Sequence, residues 1–161
     1  MFSYTPLIRR IGTDEDLYAY DGSIHKPEVV LDGEFDGRHF VIISNMNGWP
    51  TAYVSVNDTD YIAERELDND YDSRYDYLES VHGGGTYYGK AYWDPEDTRT
   101  YVGWDYAHLG DYISSPWATS SDRAGHKYAI DEILVSCILA IAELRKQNYE
   151  YRKENFYESN N

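Results

Sequence analysis

Ile130, Ile133, Leu134, Cys137, Ile138, Ile141 and Leu144 follow one another at helical spacing. They form a single apolar stripe along one side of a helix. The pattern predicts a helix from about residue 127 to about residue 152, with a polar tail. Such a helix needs an apolar surface to cover, and the preceding chain supplies strands. "HFVIIS", His39 to Ser44, is an apolar strand, and "TAYVSVN", Thr51 to Asn57, alternates like its return partner. Asn47-Gly48 between them is a strong hairpin signal. "EVVLDGEF" reads as a short strand and turn, among turn signals at Asp21-Gly22, Asp32-Gly33 and Asp36-Gly37. "YLESVHGGGTYYGKAYW" predicts a strand into His82, a glycine turn and a strand out through Tyr88 and Tyr92. "YVGWDY" predicts one more strand. The expected fold class is α+β: an antiparallel sheet of about four to six strands, packed on one face against a long C-terminal helix.

At 161 residues the chain has the length of one domain, enough to bury a core. We divide it into a variable N-terminal segment 1–38, a β-rich core 39–112 and the helix 127–152. The core carries an acidic insert at 58–76, either a short helix around Ile62–Leu67 or a long loop. No run of about 18 apolar residues is present, so no membrane-spanning helix is expected. The N-terminus lacks the basic and apolar blocks of a signal peptide. The lone Cys137 lies on the apolar stripe and reads as a buried structural thiol. These features together point to a reducing, cytoplasmic setting.

Fourteen Lys and Arg face 29 Asp and Glu, a formal charge of −15. Such a surface repels nucleic acid and anionic membranes, because nucleic-acid binding relies on basic side chains displacing counterions. It suits a basic partner, including a groove that itself holds nucleic acid, or it serves solubility alone. Tyrosine is abundant, 18 residues against 4 Phe, and combines contact area with a polar tip. Negative charge and tyrosine coincide in the insert. The expected partner-binding residues are Asp58, Asp60, Glu64, Glu66, Asp68, Asp70, Tyr71, Asp72, Tyr75 and Asp76.

Two short segments carry the unusual chemistry. "VHGGGTYYG" sets His82 against three glycines, and "GWDYAHLGDY" spaces Asp105, His108 and Asp111 three residues apart. Imidazole and carboxylate are ordinary ligands of zinc and similar ions. Asp105, His108 and Asp111 from one loop, with His82 as the fourth, make a candidate metal site. The same pattern also arises where a histidine merely bonds an aspartate in a turn. His126 lies near the helix start and is suited either to the site or to the surface, whereas His25 and His39 read as structural. "HGGG" resembles an esterase oxyanion turn, but the G-x-S-x-G nucleophile elbow is absent.

These two segments, with "GWP-x-A-Y-V" at Gly48 to Val54, resemble a group of small phage and prophage proteins of unassigned activity. Its members carry "VHGG-x-T-[YF]-x-G" followed by "[WF]-x-G-[FW]-D-x-A-H-x-G-D", and the likeness spans roughly residues 46–145. Where Tyr106 stands, the group often has cysteine, a better ligand, which shifts weight here to Asp105, His108, Asp111 and His82. The resemblance implies a phage-encoded accessory protein acting in the cytoplasm of a bacterial host. By class it suggests a type II anti-CRISPR protein, a non-enzymatic inhibitor of a basic partner such as Cas9. Its zinc would be structural. The alternative is a small metal-dependent hydrolase on the same His/Asp cluster, with a general base such as Glu79.

Overall fold

The computed structural model describes residues 5–18, 26–45, 48–67 and 72–159. Six strands form one sheet: β1 (Leu7–Arg10), β2 (Glu28–Phe35), β3 (Arg38–Ser44), β4 (Pro50–Val56), β5 (Tyr87–Lys90) and β6 (Thr100–Asp105). Their order is β1-β2-β3-β4-β6-β5, and every pairing is antiparallel. The described residues also form three α-helices: α1 (Tyr61–Glu64) between β4 and β5, then α2 (Ser120–Arg123) and the long α3 (Ile130–Ser159) after β6. The α+β expectation holds, with a sheet at the upper end of the expected size. No helix among the described residues is long and apolar enough to cross a membrane.

Local chemistry explains the hairpins. Asp36 and Gly37 both have positive φ, 51° and 73°, as a two-residue turn twisted to match its strands requires. They set Phe35 opposite Arg38 and so fix the β2–β3 register. The expected β3–β4 hairpin is present, with Ser44 opposite Pro50. Asn47 lies outside the described residues, while Gly48 has φ 91°.

The apolar stripe of α3 meets the sheet as its spacing requires. Ile130, Ile133, Cys137, Ile141 and Leu144 are buried against Phe40, Ile42, Ala52, Val54 and Trp104, while Leu134 and Ile138 flank them. Cys137 is fully enclosed, and burial pushes its thiol pKa far up, which keeps it neutral and unreactive. The opposite face of the sheet is also covered. Val41, Ile43, Tyr53 and Tyr101 pack with Ala91 and Trp93, which fold over from the turn between β5 and β6. The continuous apolar run of β3 reflects burial on both faces, beyond the single covered face expected.

The segment 1–38 contributes two strands of the sheet: β1, for which the sequence carried no signal, and β2, the strand expected at "EVVLDGEF". One expectation is corrected. The residues before His82 form a short 3-10 turn, Arg74–Tyr77, and an irregular loop instead of a strand. Ser73 and Asp76 cap that turn reciprocally, a local preference that competes with strand formation. Among the described residues of the insert the expected short helix is α1, a single turn that overlaps the expected span at Ile62–Glu64.

Candidate metal site

His82 precedes β5 and His108 follows β6. Antiparallel pairing, with Tyr87 opposite Gly103, puts the entry to one strand and the exit of the other at the same end of the sheet. Both loops are tight turns. Gly84 N–H donates to Val81 O at 2.9 Å, and Asp111 N–H donates to His108 O at 2.9 Å. A third segment closes on them as Tyr112 N–H donates to His126 O and His126 N–H donates to Gly110 O. The site therefore lies where the β5 entry, the β6 exit and the lead-in to α3 converge.

His82, His108 and Asp111 each offer a ligand atom within 4.8 Å of the others. His82 Nε2 lies 2.7 Å from Asp111 Oδ2 and 3.0 Å from Oδ1. His108 Nδ1 lies 3.4 Å from Asp111 Oδ2. An ion about 2.0–2.1 Å from each ligand in tetrahedral geometry sets ligand atoms about 3.3 Å apart, a value these separations bracket. Asp111 is buried, its side chain only 3% exposed, while His82 and His108 keep 30% and 34% of theirs in solvent.

One atom in the cluster is out of balance. His108 Nδ1 is buried and has no hydrogen bond, although Asp111 is close. Asp111 Oδ2 instead accepts the backbone N–H of His108 at 2.9 Å. A buried imidazole nitrogen without a partner is costly, and a metal ion is one natural remedy.

The positions of the four expected ligands differ in kind. Asp105 does not point into the group. Its Oδ1 accepts from Ala107 N–H and its Oδ2 from Thr86 Oγ1, both at 3.1 Å. It faces the other edge of His108, 3.7 Å from Nε2. If Nδ1 is the ligating atom, Nε2 turns away from the ion, and a carboxylate there orients the ring. Spacing alone could not decide which ring nitrogen faces which aspartate. His126 is exposed and bonded to Glu132 at 2.9 Å, outside the cluster. That bond holds the Glu132 carboxyl below its usual range. His25 lies outside the described residues. Glu79 is exposed, and its backbone N–H is taken by Glu143.

The walls of the site are tyrosines. Tyr106 stacks on His82 with centroids 5.2 Å apart, and Tyr128 tilts over the same imidazole at 5.2 Å. Burial pushes the Tyr106 phenol up to about 12, and its oxygen accepts from Trp104 Nε1 at 3.0 Å. Burial, then the Asp111 and Glu132 charges, raises Tyr128 as well. Neutral phenols are poor metal ligands, so these rings position His82 rather than compete with it. Tyr106 thus serves as a stacking platform for His82. The role of Tyr128, in "GHKY", carried no spacing signal.

The expected partner-binding residues divide similarly. Asp58, Glu64, Glu66 and Asp76 are exposed, whereas Asp72 and Tyr75 are half-buried. Asp60 is corrected outright: it is buried and forms a bidentate ion pair with Arg38, so it cannot meet a partner. Asp68, Asp70 and Tyr71 lie outside the described residues.

Compared with protein-family models, curated proteins and solved structures, the chain matches none.

Proposed function

We propose that the protein binds one divalent transition-metal ion through His82, His108 and Asp111, and that the metal-bearing fold engages a basic, nucleic-acid-handling protein surface. The observation that carries the metal reading is the unsatisfied Nδ1 of His108, buried among ligand atoms. Two imidazoles and a carboxylate suit zinc best among common ions. Bound there, the ion would tie the β5 entry to the β6 exit and the α3 lead-in. The partner reading rests on the −15 charge and on the exposed acids Asp58, Glu64, Glu66 and Asp76. With the phage-protein resemblance, it makes an anti-CRISPR inhibitor of a Cas9-like nuclease the leading assignment.

The metal is tested by elemental mass spectrometry of wild type beside His108→Ala, after incubation with zinc and desalting. The expected result is about one ion per chain in the wild type and almost none in the variant. A wild type that retains no ion overturns the site.

The partner is tested separately with Cas9 as probe. Glu64→Lys combined with Glu66→Lys is expected to slow association at least about tenfold, with a steep decline in raised salt. Binding indifferent to both changes, or no binding of Cas9 by the wild type, overturns this assignment.

A second reading follows from one geometric fact: three protein ligands, two of them partly in solvent, leave a coordination position open. An open position on such an ion supplies hydrolytic chemistry, so a small metal-dependent hydrolase is the alternative. Metal-dependent turnover of an ester or phosphodiester substrate, lost in Asp111→Asn, would favour it.

A further inference from the structure

The C-terminal half of α3 runs beside the β2–β3 hairpin, the end of β4 and the start of α1. Between them lies a cavity of about 640 Å³, within the range of small-molecule sites. Its charged lining is Arg38, Arg145, Arg152 and Lys153 against Asp36 and Asp60. In a chain with twice as many acids as bases, this cavity reverses the sign.

The charges are not equally available. Arg38 and Asp60 form the floor, buried and mutually neutralised, with Asn148 Nδ2 donating to Asp60 at 2.8 Å. Arg145 reaches Asp36 at 3.6 Å. Arg152 and Lys153 are exposed and have no ion-pair partner among the described residues. The surplus positive charge therefore lies at the rim, on the side of α3 that also carries Arg145, Asn148 and Tyr149. Residues three and four apart on a helix share a face, so one helical surface presents this set. The Tyr149 side chain, on a residue 66% exposed, offers a flat ring at the same rim.

Clustered cations are relieved by an anion, and guanidinium groups match phosphate oxygens in bidentate geometry. The geometry points to a binding site for a nucleoside phosphate: Arg152, Lys153 and Arg145 take the phosphates, and the base stacks on Tyr149. This site is separate from the His82 cluster and does not depend on the metal.

The test is calorimetric titration of the intact protein with ADP and, separately, with inorganic pyrophosphate, without added divalent ions. ADP is expected to bind with a dissociation constant of about 1–100 μM. Arg152→Ala with Lys153→Ala should weaken it at least about tenfold. Both side chains are exposed, so the melting temperature should be unchanged, and Arg123→Ala with Lys146→Ala should leave binding as it was. Tyr149→Ala should weaken ADP but not pyrophosphate. No binding of ADP at millimolar concentration, or equal binding by the Arg152/Lys153 variant, overturns the site. Pyrophosphate binding as tightly as ADP, with Tyr149→Ala silent, overturns the nucleoside assignment.

Discussion

Arg38→Ala is expected to cost about 3–5 kcal/mol, because it leaves the buried Asp60 carboxylate without its counter-charge. Global stabilities of small domains are about 5–15 kcal/mol, so the loss could consume most of the total. Urea unfolding of the two proteins measures it. The pH dependence gives a second readout. Burial alone would raise the Asp60 carboxyl. Hydrogen bonds and charge from Arg38, with bonds from Asn148 and the Asn57 N–H, outweigh it and hold the carboxyl below its usual range. A depressed folded value contributes stability above the ordinary aspartate range, lost as pH falls through the folded value. In Arg38→Ala the burial effect prevails and the folded value rises. The slope then inverts: the variant gains stability on acidification where the wild type loses it. Arg38→Met combined with Asp60→Leu should recover much of the loss, since it removes both charges. A small cost for Arg38→Ala, with no change of slope, would mean that Asp60 is solvated.

Gly83→Ala should cost the protein its metal while leaving it folded. Gly83 has φ 71°, and a Cβ there would collide with the His108 ring. The methyl group forces the imidazole away from His82 and Asp111, on top of the strain of a positive φ for alanine. Loss of a group that orients a ligand typically lowers metal affinity about 10–100-fold, and displacement of the ligand itself should reach the upper part of that range. Gly110→Ala is the control. Gly110 has φ 92°, but a Cβ there meets nothing within 4 Å. It should lose some stability and keep the metal. Zinc titration against a chelating indicator compares the three proteins. Equal losses in both variants would mean that backbone strain, not the approach of Gly83 to His108, controls the site.

The site was partly visible before the fold. His82 and His108 stood out because each lies beside glycines and acids at short spacing, and short-range spacing is what local turns preserve. That the two segments meet follows from the β5–β6 pairing, a long-range contact with no local signature. The same limit explains the errors. Asp105 and Asp111 are equivalent in spacing about His108, yet only Asp111 converges on His82, because the imidazole shows its two nitrogens to opposite sides. Asp60 looked like its acidic neighbours, and only the register of β3 on β4, with Phe40 opposite Val54, brought Arg38 across to it.

The sequence by itself determined the α3 stripe, the central hairpin, the α+β class and the excess of negative charge. Each is written in residue periodicity or composition, which depend on near neighbours or on totals. The tertiary structure alone decided that Leu7–Arg10 joins the sheet beside β2 and that the second face of the sheet is covered by Ala91 and Trp93. It also gathered four scarce cations around one cavity. These depend on which distant segments pair and pack, and that is set by mutual burial of surfaces that no single stretch of the chain contains.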